Sequence, residues 1–391
     1  MKTPIYLDYH ATTPVDKRVL DAMMPFFQEH FGNAASLQHR FGWIAKEAVE
    51  IARKKIAEAI NAQPREIIFT SGATESNNLA IKGVAEAYRS HGNHIIVSQI
   101  EHKCVLESCK RLEQEGFVVT YLPVDSTGKV IVDEIQHAIT DKTILVSVMM
   151  ANNEIGTIQP IAEIGKMCAE RSVLFHTDAT QAVGRLPIDV AAMNIHLLSF
   201  ASHKMYGPKG VGALYLRSKN PRTSILPQID GAGHENGLRS GTLNVSGIVG
   251  FGKAVQIAVT EMDEENGRLY RLRNRLQEQL LSFGKTTFNG HPLDRLPQNL
   301  NMTFHGIYAD RLMTEMNDIA VSAGSACTSE EIGDIQYSHV LHAIGVDAEA
   351  GRSTIRFGLG RFTTDEEIEY TVKTIQTIVP KLKEHVSVGA L

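Results

Sequence analysis

The sequence predicts an α/β protein, with a large domain on a mostly parallel sheet of seven strands and a smaller α+β domain. Three observations carry that expectation. Seven short apolar runs alternate with helically spaced stretches between residues 67 and 216, the order from which parallel sheets with crossover helices are built. After Gly250-Phe251-Gly252 the alternation stops, and a long charged helical pattern and irregular strands follow. A chain of 391 residues, 43% apolar and 21% charged, is long enough to bury more than one core.

In chain order, residues 44–61 place Ile44, Ala48, Ile51, Ala52, Ala59 and Ile60 on one face with Lys and Glu opposite, a surface helix. Strands are expected at Ile67-Ile68-Phe69, His94 to Val97, Val118 to Leu122, Ile144 to Val148, Val173 to His176, Leu197 to Phe200 and Gly212 to Leu216. A single long charged helix is expected around residues 255–282. Thr364-Asp365-Glu366-Glu367 has the spacing of a capping box and opens a last helix. The domain limits that follow are 16–258 for the large domain, and 1–15 with 259–391 for the small one.

Composition narrows the function. A net charge of −5 without a basic stripe excludes nucleic acid as the main ligand. No run approaches the roughly 18 apolar residues of a membrane span, and the start of the chain lacks an apolar signal region, so a cytoplasmic location is expected. Cys104, Cys109, Cys168 and Cys327 show neither a disulfide framework nor CxxC metal spacing, and are expected as free thiols with no metal bound.

The chemistry is read from strand ends. Ser202-His203-Lys204 lies between the apolar run Leu197 to Ala201 and the glycine turn Gly207 to Gly210. A lysine at the mouth of a buried strand tends to lose its charge by desolvation, the state that a Schiff-base amine needs; we read Lys204 as the aldehyde anchor of pyridoxal 5'-phosphate. In Ile67 to Glu75 a strand runs through a glycine turn into a helix, so backbone N–H groups and a hydroxyl are available for a phosphate, or Ser71 or Thr74 simply caps the helix. Asp178 closes the run Val173 to Asp178, where a carboxylate can keep the cofactor's pyridine nitrogen protonated, or cap a loop. His102, just after the strand-like segment His94 to Val97, can lie on the cofactor ring and move protons near neutral pH. Met150 to Glu154 brings amides to another strand end, available to the cofactor's phenolic oxygen or to local Asx turns.

Seven ordered motifs together resemble the cysteine desulfurases of the NifS/IscS class, within the pyridoxal-phosphate-dependent class V aminotransferases. They are Thr70 to Asn78, Glu101-His102-Lys103, Asn152 to Gly156, Thr177 to Gln181, Ser202 to Gly210, Arg239 to Thr242 and Ser322 to Ser329. The likeness runs from Tyr6-Leu7-Asp8 to Gly360-Arg361-Phe362. It implies the fold-type I architecture of aspartate aminotransferase and a homodimer with active sites at the subunit boundary. It also implies Lys204 as the cofactor lysine, His102 as the ring-stacking residue and Asp178 as the pyridinium partner. Asn152 and Gln181 stand near substrate and phenolic oxygen, while Ala73, Thr74, Ser202 and His203 bind the phosphate. Thr242 would reach that phosphate from the other subunit. Arg356 matches the arginine that holds the substrate carboxylate, a task for which its planar fork is suited.

Cys327 separates this reading from a transaminase. Ala323 to Ser329 and the following Glu330 to Asp334 read as an exposed loop, and an exposed cysteine suggests reactivity. The resemblance implies that Cys327 attacks the sulfur of substrate L-cysteine and keeps it as a persulfide for a sulfur-acceptor protein, such as an iron-sulfur scaffold. Cys104, two residues from His102, is the rival nucleophile. Alternatives are a selenocysteine lyase or aminotransferase of the same fold, or a non-enzymatic subunit that binds a sulfur-transfer partner. Departures from the family pattern fall at Ala232, Asn236, Ala34 and Gly358, and the sequence closes at Leu391 without the extended tail by which some relatives dock a scaffold. The identity of the acceptor is therefore left open.

Overall fold

The computed structural model describes residues 3–323 and 337–388. The chain enters through a short strand, β1 (Ile5–Tyr6), and then builds its large sheet from β2 (Ile67–Thr70), β3 (His94–Ser98), β4 (Val118–Leu122), β5 (Thr143–Ser147), β6 (Leu174–Asp178), β7 (Leu197–Ala201) and β8 (Gly212–Leu216). Their spatial order is β2-β8-β7-β6-β5-β3-β4. β8 runs antiparallel to both its neighbours, and the other pairs are parallel. All seven expected runs are strands, within two residues of their predicted limits. β2, β3, β5, β6 and β7 are buried at every residue, because helices cover both faces and leave no polar side to alternate with.

Two expectations need correction. The helix expected at residues 44–61 spans Arg40–Glu58 and buries Ala45, Val49, Ala52 and Ile56; of the expected face, Ala52 and Ile60 are buried, but Ile44, Ala48 and Ile51 are not. Ile51 is exposed. The reason is a close backbone approach: a Cβ on Gly252 would lie 2.7 Å from the Ala52 Cα, so the small residues decide which face meets the Val245–Thr260 helix. The long helix expected near 255–282 is two helices, Val245–Thr260 and Met262–Leu281, broken at Glu261. Asn244 caps the first by accepting from the Gly247 N–H at 3.0 Å.

The later part of the chain packs around a separate apolar cluster. Here β9 (Thr286–Asn289), β10 (Asn299–Phe304) and β12 (Thr354–Gly358) form an antiparallel sheet in the order β12-β10-β9. The short β11 (Ile319–Ala320) pairs in parallel with β1, which brings Ile5 and Leu7 into the cluster of Leu272, Leu276, Met302, Ile355 and Phe357. The Asp365–Val388 helix closes it. Its capping box forms as the spacing predicts: Thr364 Oγ1 accepts from the Glu367 N–H at 3.2 Å, and Glu367 returns an acceptor to the Thr364 N–H at 3.0 Å.

A chain of buried charges joins the two cores. Arg185 and Arg361 both hold Glu265, at 2.7 and 3.0 Å, and Arg361 also holds Asp16 at 2.8 Å. Among the described residues no helix is long and apolar enough to cross a membrane.

Candidate active site

The C-terminal ends of β2, β3, β5, β6 and β7 share one edge of the large sheet, the place where open α/β sheets present their ligand groups. β7 delivers Lys204 through the single turn Ser202–Lys204. The Lys204 Nζ reaches the N-terminal segment and donates to the carbonyls of His10 and, at 2.8 Å, Ala11. β6 delivers Asp178, whose Oδ2 accepts from Asn77 Nδ2 at 2.7 Å and whose Oδ1 accepts from the Thr180 N–H at 2.9 Å. The carboxylate is thus fixed in place. Two residues back on the same strand face, His176 bridges Ser147 Oγ at 2.8 Å and Ser199 Oγ at 3.0 Å. Burial lowers its pKa to about 4 and keeps it neutral, with Asp178 opposing.

β3 leads into Glu101 and His102. His102 caps the Lys103–Gln114 helix, its Nδ1 accepting from the Cys104 N–H at 3.2 Å, so the neutral ring carries its proton on Nε2. Burial pushes its pKa down, against the pull of Asp178, while Lys204 adds to the lowering. Cys104 Sγ lies 3.0 Å from that Nδ1 and 3.2 Å from Asn77 Nδ2, and burial pushes the thiol up to about 12. Glu101 is wholly buried; its Oε1 accepts from Ser98 Oγ at 2.6 Å and the Met149 N–H at 2.7 Å.

A phosphorylated cofactor fits this edge on three observations. The Ala73–Ala87 helix begins directly at the Gly72 turn, and its first N–H groups have no intrahelical acceptor. Ser202 Oγ is buried with no hydrogen-bond partner among the described residues. The two are adjacent: Ala201 pairs with Gly212 across the β7–β8 ladder, and a Cβ on Gly212 would lie 2.7 Å from the Gly72 Cα. A free hydroxyl beside a bare helix N-terminus makes an anion cradle. Thr74 is exposed at its rim, and His203 is held by Thr12 Oγ1 at 3.1 Å, with a pKa lowered by burial to about 4.

The remaining sequence candidates divide. The Gln181 side chain is pinned to His10, accepting from Nδ1 at 3.0 Å and donating to the backbone carbonyl at 3.1 Å. Asn152 is spent largely on its own loop: it donates to the Ile100 carbonyl at 2.9 Å and accepts from the N–H groups of Glu154 and Ile155. Arg356 is buried rather than part of a surface pair. Its Nη2 meets Asp8 Oδ1 at 2.7 Å, its Nη1 donates to the Asn153 carbonyl at 2.9 Å, and its Nε has no partner among the described residues. Thr242 is exposed, two residues beyond the buried Ser240. Cys327 lies outside the described residues.

Sequence reasoning missed Asn77, Glu101 and His10. His10 is 2% exposed, and its ring links Gln181 to Asn299 Nδ2 at 3.1 Å. Burial and the Arg356 charge lower its pKa to about 3. Asn77 was visible as a polar residue inside a helix with apolar neighbours, a signal that it has a fixed partner. His10 carried no comparable signal, since its partners are 171 and 289 residues away.

A lysine and a fixed carboxylate at neighbouring strand ends, beside a phosphate cradle, define a pyridoxal-phosphate enzyme of fold-type I. Residues 5–371 match the Aminotransferase class-V family, and the chain belongs to it. It is 52% identical to the cysteine desulfurase IscS of Enterobacter sp. (strain 638) over 386 residues, which covers 98% of this chain and 95% of that protein. The cysteine desulfurase IscS of Anaeromyxobacter sp. (strain Fw109-5) is likewise 52% identical, over 98% of this chain and 94% of the relative. Among solved structures, a NifS-like protein superposes with a TM-score of 0.90 at 39% identity, covering 97% of this chain and 100% of its own. The structure described as SspA in complex with cysteine superposes with a TM-score of 0.80 at 38% identity, covering 92% and 100%.

Proposed function

We propose that this protein is a cysteine desulfurase that converts L-cysteine to L-alanine and carries the sulfur as a persulfide on Cys327. The observation that carries the reading is the strand-end pair of Lys204 and an immobilised Asp178 in a chain with near full-length cysteine desulfurase relatives. Bound at Lys204, pyridoxal phosphate supplies the electron sink that makes the substrate's α-proton acidic. Asp178, fixed by Asn77 and the Thr180 N–H, keeps a proton at the pyridine nitrogen. Lys204 Nζ moves the α-proton, and His102, neutral from burial, covers the ring. The Ala73 N–H, Thr74, Ser202 and His203 hold the phosphate, together with the partner subunit's Thr242. Gln181 and Asn152 would face the cofactor's phenolic oxygen, and Asn152 and Arg356 would hold the substrate; the Arg356 Nε, without a partner among the described residues, supports a carboxylate contact.

The Cys327 thiolate forms a bond to the substrate sulfur as that sulfur leaves the β-carbon, and the carbon takes up a proton. One sulfur atom moves and no external oxidant is needed. Cys104 is the weaker candidate, because a thiol with a pKa near 12 supplies little thiolate at neutral pH. The sulfur then passes to an acceptor protein in a reducing compartment. Exposed Met24, Phe27, Phe31, Phe41 and Trp43 support a homodimer, since apolar groups of this size concentrated in one segment favour a subunit interface. We assign residues 16–258 to the cofactor lobe and residues 1–15 with 259–391 to the other, supported by the separate apolar cluster that joins Ile5 and Leu7 to the later strands.

The test is alanine formation from L-cysteine by the purified holoenzyme, followed by mass spectrometry after brief exposure without reductant. One added sulfur on the Cys327 peptide is expected, and Cys327→Ser should bind cofactor yet make almost no alanine. Sulfur on Cys104 instead, or normal alanine production by Cys327→Ser, would overturn the assignment.

A further inference from the structure

Two buried arginines outside the active site, Arg273 and Arg295, hold no carboxylate among the described residues and lie close together. Tyr270, Arg273 and Gln277 share one face of the Met262–Leu281 helix at spacings of three and four residues. Arg273 is 2% exposed, and its Nε and Nη1 are buried without a hydrogen-bond partner among the described residues. Its guanidinium carbon lies 4.8 Å from the centre of the Tyr270 ring. Arg295 comes from the segment ahead of β10 and is 6% exposed. Its Nη2 donates to Gln277 Oε1 at 2.6 Å, one helical turn from Arg273, while Nε and Nη1 are buried and unpartnered. Its guanidinium lies 4.9 Å from the centre of the Phe288 ring.

Three other buried arginines hold carboxylates, and a fourth, Arg217, donates its Nη2 to the Val190 carbonyl at 3.2 Å. Arg53 holds Glu235 at 2.8 Å, Arg185 holds Glu265 at 2.7 Å, and Arg356 holds Asp8 at 2.7 Å. Against burial, Glu235 raises the pKa of Arg53, and Tyr206 with Glu265 raises that of Arg185, whereas burial lowers Arg273 to about 10 and, with the repulsion of Arg273, lowers Arg295 to about 9. Two like charges side by side without a counter-ion are unfavourable in a low-dielectric setting, and planar forks of donors suit an oxyanion.

We propose that Arg273 and Arg295 form a binding site for a small inorganic oxyanion, phosphate or sulfate, positioned by Gln277 and walled by Tyr270 and Phe288. The bound anion would tie the Met262–Leu281 helix to the segment before β10. That segment is joined to the loop after Asn152: Arg295 bridges to Thr157, and the Leu296 N–H donates to the Gly156 carbonyl at 2.9 Å. The site therefore communicates with a wall of the catalytic edge without forming part of it.

The test uses the cofactor-loaded enzyme, so that the cradle at Ala73 is already filled. Sodium sulfate and sodium phosphate are titrated at constant ionic strength against sodium chloride, with calorimetry and thermal unfolding as readouts. One saturable sulfate or phosphate per subunit is expected, with a rise in Tm that chloride does not give. Arg295→Gln should weaken binding by about tenfold or more, the loss of charged hydrogen bonds, and Arg273→Lys, which keeps the charge but not the fork, should weaken it as well. A higher affinity for phosphate than for sulfate would name phosphate as the ligand, and the reverse order sulfate. An equal response to chloride, the absence of saturable binding, or unchanged affinity in Arg295→Gln would overturn the proposal.

Discussion

Replacing Glu101 by Gln tests how far a single buried carboxyl sets the pH dependence of stability. Glu101 is wholly buried, and its Oε2 has no hydrogen-bond partner among the described residues. Burial raises its pKa from 4.5 to about 8, with Asp178 pushing the same way and the bonds from Ser98 and Met149 opposing. The unfolded chain loses this proton near pH 4.5 while the folded chain keeps it until about pH 8. A group of this kind contributes nothing below the unfolded value, and it destabilises the fold progressively as pH rises through that window. The difference of about 3.5 between 8 and 4.5, at about 1.4 kcal/mol each, gives a loss of about 5 kcal/mol above pH 8.

Gln retains an oxygen to accept from Ser98 Oγ and the Met149 N–H, and it cannot ionise. Its amide hydrogens, placed where Oε2 has no partner, cost about 1–3 kcal/mol at every pH. The variant should therefore start slightly less stable than the parent near pH 5 and become more stable at alkaline pH. Its stability relative to the parent should climb by about 4 kcal/mol between about pH 5 and 8. Urea unfolding of both holoenzymes, followed by circular dichroism across that range, reads the difference directly. Parallel curves, or a gap that widens on acidification, would refute the reasoning.

Asp178→Asn keeps the bond geometry with Thr180 but removes the charge, so cofactor content should be retained while alanine production falls by about 10–100-fold, the worth of a charged hydrogen bond; unchanged turnover would reduce Asp178 to a loop cap. Arg53→Ala leaves Glu235 buried without its bidentate partner, at 2.8 Å on both oxygens, and should cost about 3–5 kcal/mol in urea unfolding. Because Glu235 also accepts from the Phe69 N–H at 2.8 Å and sits in the loop leading to Thr242, weaker cofactor retention should accompany the loss, and a variant of full stability would show the pair to be dispensable.

The seven strands were legible because a strand buried on both faces writes itself as a run of apolar and β-branched residues, a local record. The positions of Lys204 and Asp178 were legible for the same reason: each follows such a run immediately, and strand C-terminal ends are where ligands meet the sheet. The capping box at Thr364 needed only residues within one turn.

What the sequence left undecided depends on partners far along the chain. The buried face of the Arg40–Glu58 helix was set by Gly252, some two hundred residues later, and no periodicity within the helix records how closely another backbone will approach. Asn77 meets Asp178 across 101 residues, and Lys204 reaches the His10 carbonyl across 194. Arg273 reads as one more charge on an amphipathic helix until Arg295 and Phe288 fold over that face. Local patterns fix which backbone conformation each segment adopts, since that is decided by side-chain sterics and the periodicity of burial. Which polar groups end up sharing a low-dielectric space, and whether they are paired there, is decided only when the chain closes on itself.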